Sequence, residues 1–122
     1  MTREERIAII ESTLLAAAEE ARGAGYVIVS DDFIVNQGSW YGCCALGAFE
    51  LSKTPGPLPL LALDDDAAPS EWDGIEHGFD GIPYRSATGQ NGVLVPRDFW
   101  ELGQRLREQL QPVRAADLGA VS

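Results

Sequence analysis

The stretch NQGSWYGCCALGAFE, Asn36 to Glu50, holds the only two cysteines side by side and runs from a polar turn into small and apolar residues. From Cys44 onward, Leu46, Gly47, Ala48 and Leu51 leave almost no polar face, so Cys44 to Lys53 is expected to be a helix buried on most sides. The small residues Ala45, Gly47 and Ala48 lower helix propensity but let a neighbouring backbone approach. A helix of this kind belongs at the centre of a fold, and the rest of the chain is read around it.

Upstream, TREERIAIIESTLLAAAEEARGAG places Ile7, Ile10, Leu14, Ala17 or Ala18 and Ala21 on one stripe, with Arg3, Glu4, Glu11, Glu19 and Glu20 largely outside it. Thr2 and Glu5 have capping-box spacing, and Gly23 and Gly25 supply the stop. Next, Tyr26 to Val29 and Phe33 to Val35 are short β-formers separated by Ser30-Asp31-Asp32, with Asn36-Gln37-Gly38 as a second break. These segments predict a small hairpin after the first helix.

Downstream, Thr54 to Ser70 carries Pro55, Pro57, Pro59 and Pro69 with the run Asp64-Asp65-Asp66, which excludes a continuous helix. Leu58, Leu60, Leu61 and Leu63 need cover, so an extended arm across the domain is expected. Ser70 followed by Glu71, Trp72 and Asp73 reads as a capped helix start, giving a short third helix to about Gly78. Arg85 to Asn91 is polar and turn-rich, an exposed loop. Pro96 opens a last helix with Phe99, Leu102, Leu106 and Leu110 on one face and Pro112 beyond its end. Trp100 lies off that stripe, either under the proline-rich arm or as an interface anchor.

The fold expected is mainly α with minor β. It is a single domain over 1–122 with four helices, a short hairpin after the first, a proline-rich extended arm and a tail at 113–122 expected to fray.

Composition narrows function more than motifs do. An apolar fraction of 45% with 23% charged residues is that of an ordinary globular protein. Nineteen acidic against nine basic side chains give a net charge of −10, which opposes phosphate backbones and anionic membrane surfaces. No apolar run approaches a membrane span and no secretory-type leader pattern occurs, so a cytoplasmic location is expected. Cofactors are expected to be none. The acidic stretch LDDDAAPSEWDGIE lacks the ligand alternation and central glycine of a calcium loop. Cys43, Cys44 and His77 are too few to close a zinc tetrahedron without a carboxylate, so no metal is expected either. Adjacent cysteines hold their side chains apart, and in a reducing compartment a disulfide between them is disfavoured.

Two resemblances bear on the same residues. NQGSWYGC is similar to the segment of papain-like cysteine proteases in which a glutamine lies six residues before a cysteine at a helix N-terminus, as Gln37 lies before Cys43. The resemblance implies a hydrolase in which Cys43 attacks, His77 takes its proton, Gln37 lines an oxyanion hole and Asp80 or Asn91 orients the imidazole. Trp40 and Cys44 stand where that family has cysteine and tryptophan.

The second resemblance spans about two-thirds of the chain. A tryptophan in a glycine-rich turn (Trp40), a helix opening with CALGA (Cys44 to Ala48), a Phe79-Asp80 turn and a closing amphipathic helix look like a family of small phage and actinobacterial proteins. It implies a fold and no activity, with Cys44 a buried packing residue. The function expected is thus a small acidic, non-catalytic protein-interaction module of bacterial or phage accessory type. Its partner would be another protein or a second copy, met through Trp72, Trp100 or Asp64, Asp65 and Asp66. The cysteine hydrolase is the alternative.

Overall fold

The structure, a computed structural model, describes residues 2–52, 71–89 and 92–119. The proline-rich arm, Asp64 to Asp66, the Ser70 cap and Asn91 lie outside them. The described chain is mainly helical with minor β structure, as the sequence predicts, and the β part is a small three-stranded sheet.

Helix α1 (Arg3–Gly23) starts on the expected capping box: Glu5 N–H donates to Thr2 Oγ1, and the Glu5 carboxylate accepts from Thr2 N–H. Its buried face is the predicted stripe, Ile10, Leu14, Ala17, Ala18 and Ala21. Cys44 caps α2 (Ala45–Leu51), whose residues Ala45 to Phe49 are all buried, and α2 packs along α1. Helices α3 (Glu71–Phe79) and α4 (Arg97–Leu110) make the tightest pairing of the fold. Phe99, Leu102, Leu106 and Leu110 point inward from α4 to meet Ile75 and Phe79 of α3 and Ile10 and Leu14 of α1. Burying each such side chain contributes about 1.5–3 kcal/mol before chain entropy is counted.

Ion pairs hold the helices together outside the core. Glu71, only 5% exposed, accepts from Arg6 at 2.7 Å, Arg105 pairs with Glu11 at 3.0 Å, and Arg3 pairs with Asp98. The Arg6–Glu71 bridge matters most, because a buried carboxylate stripped of its partner keeps its desolvation penalty.

The sheet corrects the predicted hairpin. Tyr26–Val29 does not fold back on Phe33–Val35. Instead, β1 (Val27–Ile28) runs parallel to β3 (Tyr41–Cys43), and β2 (Ile34–Asn36) pairs antiparallel with β3, in the order β1-β3-β2. The hairpin is therefore β2–β3, closed by the break after Asn36. Gln37 N–H donates to Trp40 O, Asn36 Oδ1 accepts from Gly38 N–H, and Gly38 takes the left-handed φ of +81° that this turn requires. Asp31 serves a distant element rather than a turn of its own. Its carboxylate accepts the Ala115 and Ala116 amides at the start of α5 (Ala115–Gly119).

Within the 113–122 tail, Val113, Ala115 and Ala116 are bonded to the rest of the chain. Val113 bridges Val29, donating to Ile28 O and accepting from Ser30 N–H, each at 3.0 Å. Within the predicted exposed loop, a 3₁₀ turn at Tyr84–Ser86 leads to Thr88, which bridges Leu94, and Ala87 is buried.

Candidate functional site

The described residues of the cysteine-hydrolase reading are not in the arrangement that chemistry needs. Cys43 is the last residue of β3, the central strand, and has 0% exposure. The thiol at the helix N-terminus belongs to Cys44, which accepts from Gly47 N–H at 3.4 Å. Burial pushes the Cys43 thiol up to about 11, with the neighbouring Cys44 adding to the rise. Cys44 is also raised to about 11: burial dominates, Asp80 and Glu76 add to it, and the Gly47 and Leu46 amides oppose it without prevailing. A nucleophilic cysteine needs the opposite, an open thiol with a depressed pKa.

The remaining members sit apart in role. His77 lies in the last turn of α3, with Nδ1 2.7 Å from the carbonyl of Asp73 four residues back, so the ring is bound to its own helix. Gln37 is exposed in the β2–β3 turn. Asp80 follows α3, and burial raises its carboxyl to about 7; Glu76 and Asp31 push the same way while His77 and Arg107 oppose. Among the described residues, no group of three or more His, Cys, Asp or Glu side chains is placed to hold a metal ion.

Asp80 gives a pH prediction. Its folded pKa lies above the ordinary 3.8, so the native state holds the proton more tightly, and stability falls as pH rises from about 4 through about 7. Asp80→Asn is expected to flatten that slope. Allowing for solvent screening, it should stabilise the domain at pH 8 by on the order of 1–2 kcal/mol and by almost nothing at pH 4. Urea unfolding at the two pH values checks this; equal effects at both would show that Asp80 ionises normally.

The expected interaction residues are only partly where the sequence put them. Trp100 is no free anchor: its indole N–H donates to Ile82 O at 2.8 Å and its ring lies 5.3 Å from Tyr84, so it packs under the 82–84 segment. Trp72 is half-buried against the core, its ring 6.1 Å from Phe33. Exposed large apolar side chains lie instead at Phe33 (41%) and Ile34 (41%) where β2 starts and at Tyr41 (48%) on β3, the last stacked at 5.9 Å on Tyr26, and to a similar degree at Ile9, Val93, Leu94 and Val113. Sequence reasoning assigned Phe33 to Val35 a strand but no surface; its aromatic and β-branched character was the available signal.

Acidic groups border this surface. Asp31 and Asp32 precede Phe33, and Trp72, Glu76 and Asp80 recur at four-residue intervals on the α3 side toward Phe33 and Cys44. No protein-family model, curated protein or solved structure matches the chain. Among the described residues no helix is long and apolar enough to cross a membrane.

Proposed function

We propose that the chain is a small, acidic, non-catalytic protein-interaction module of bacterial or phage accessory type, working in the cytoplasm. The observation that carries this reading is the exposure of the apolar side chains of Ile34 and Tyr41 on the paired strands β2 and β3, with Phe33 exposed just before β2, in a chain of net charge −10. Apolar, aromatic patches rimmed by polar groups are what protein partners bury. The same charge turns away nucleic acid and anionic membranes. Kinship with small phage and actinobacterial proteins rests on Trp40, the Cys44 to Ala48 opening of α2, the Phe79-Asp80 turn and the amphipathic α4. In that reading the sulfurs fill space.

Two measurements test it. With both thiols near 11, only about one part in ten thousand is thiolate at neutral pH. Iodoacetamide near pH 6 is thus expected to leave Cys43 and Cys44 unlabelled until denaturant is added. Rapid native labelling of Cys43 that His77→Ala abolishes would establish the hydrolase instead. For binding, the folded chain coupled to a resin is expected to retain a protein from bacterial lysate that the double variant Phe33→Asp, Tyr41→Glu loses. Retention untouched by those changes sinks the surface assignment.

A further inference from the structure

Helix α4 ends on a strained residue. Gln111, which follows Leu110, has φ 48° and ψ 61° and is the one non-glycine in the left-handed region among the described residues. A residue with a Cβ is strained there, and Pro112 adds to the strain because a residue before proline favours extended backbone. Such a conformation persists where the contacts around it over-determine it.

Those contacts lie on both sides of Gln111. Upstream, Gln111 N–H donates to Arg107 O at 2.8 Å and Arg22 donates to Leu110 O, which fixes the end of α4. Downstream, Val113 lies parallel to Val29, donating to Ile28 O and accepting from Ser30 N–H, each at 3.0 Å. Asp31 is the next anchor, its two carboxylate oxygens accepting the Ala115 and Ala116 amides. Burial works to raise the Asp31 carboxyl, but those amides, with Arg114 nearby, hold it below its ordinary 3.8, so the anchor is charged at neutral pH.

The attached segment itself buries little. Val113 is 42% exposed, and Arg114, Ala116 and Asp117 are exposed as well, whereas Val29 and Ser30 beneath them are buried. A surface segment joined through main-chain bonds, with little apolar burial of its own, belongs to the part of a fold that opens before the core does. On its other side β1 is held independently, by Val29 N–H donating to Cys43 O at 2.9 Å.

We propose that residues 113–119 form a latch over the β1 edge, hinged at Gln111 and closed by Asp31, which opens as a unit while the helices and the three strands stay folded. Opening lets Gln111 relax toward extended backbone, so the strain at the hinge opposes the bonds of Val113 and Asp31. It also frees Ile28 O, Ser30 N–H and the Asp31 carboxylate together. Closed, the latch keeps those main-chain groups from pairing with another strand, which is how a covered edge escapes unwanted strand addition.

Hydrogen exchange of the full chain at pH 7, followed amide by amide, tests this. Relative to their unprotected rates, Ser30, Val113 and Ala115 are expected to exchange at least tenfold faster than Val29 and Leu106, and their exchange should hardly respond to low urea because little surface opens. Asp31→Ala should speed the three latch amides at least a further tenfold. Gln111→Val makes left-handed backbone costlier and should also speed them, while Gln111→Asn tolerates it better and should slow them. Both Gln111 variants leave every bonded group of the latch in place, so opposite shifts report the hinge. Gly103→Ala, whose Cβ would strike Ile75 O in the core, should speed Leu106 and leave the latch amides unchanged.

A urea response of Ser30 and Val113 equal to that of Leu106 would overturn the latch, since the segment would then open only with the whole domain. It is equally overturned by latch amides that Asp31→Ala leaves unmoved, by shifts of the same sign in the two Gln111 variants, or by equal acceleration of latch and core amides in Gly103→Ala. Protection of Val113 that rises with protein concentration would assign the segment to a second copy instead.

Discussion

Gly103→Ala is expected to destabilise the domain by about 3 kcal/mol or more, even though alanine is the better helix former by about 1 kcal/mol. A Cβ at Gly103 would lie 2.2 Å from Ile75 O, 2.8 Å from Phe79 N and 3.0 Å from Gly78 Cα. The relation is mutual, because a Cβ at Gly78 would lie 2.1 Å from Trp100 O. These obstacles are backbone atoms, so no rotamer change relieves them, and the helix axes must move apart. Separation would open the contacts of Phe99, Leu102, Ile75 and Phe79, the densest part of the core. Gly78→Ala should cost about as much. Gly74→Ala should cost less, since its Cβ would meet Phe99 Cβ at 2.9 Å and Pro96 O at 3.2 Å, where small shifts suffice. Urea unfolding of the three variants tests the order. Stabilisation by Gly103→Ala would mean that propensity wins and that the helices do not approach this closely.

Those glycines mark a limit on what the sequence could tell. Gly74 and Gly78 stand four residues apart in EWDGIEHGFDG, a spacing that permits close helix contact, but α4 had to be known as the partner before Gly103 acquired meaning. The stripes of α1 and α4 were legible because a 3.6-residue period needs only local sequence. The Thr2–Glu5 cap was legible for the same reason.

Sheet topology was not legible. Tyr26–Val29 and Phe33–Val35 are neighbours in sequence, and a turn of Ser30-Asp31-Asp32 would join them at low entropic cost. That turn is pre-empted by Asp31 binding the start of α5 and by Val113 closing the β1 edge, contacts spanning more than eighty residues. Tyr41 to Cys43 became the central strand although it leads straight into a helix, and this buried Cys43 and handed the helix N-terminus to Cys44. The hydrolase resemblance required those roles reversed. The exposure of Ile34 was hidden for a related reason: it depends on which strand sits beside β2.

The second large effect is expected at Gly47, where α2 meets the start of β2. A Cβ there would lie 2.0 Å from Phe33 O and 3.0 Å from Phe33 C, with Ile34 Cγ1 at 3.1 Å. Phe33 O is also the acceptor for Cys44 N–H, the bond that ends the β2–β3 ladder and begins α2. Alanine at 47 must therefore push the start of β2 away from α2 and lengthen that bond. Removing a satisfied backbone bond from a buried junction costs about 1–3 kcal/mol, to which the displaced packing of Phe33 on Trp72 adds. A net loss of about 2–4 kcal/mol is expected, set against a propensity gain near 1 kcal/mol. The consequence reaches β2, because Ile34 follows directly on the displaced Phe33. Gly47→Ala should speed hydrogen exchange of the Cys44 amide even at temperatures where the domain stays folded, whereas Gly103→Ala, acting at the α3–α4 crossing, should lower stability and leave the local protection of that amide unchanged. Unchanged protection of the Cys44 amide in folded Gly47→Ala would show that α2 does not approach Phe33 this closely.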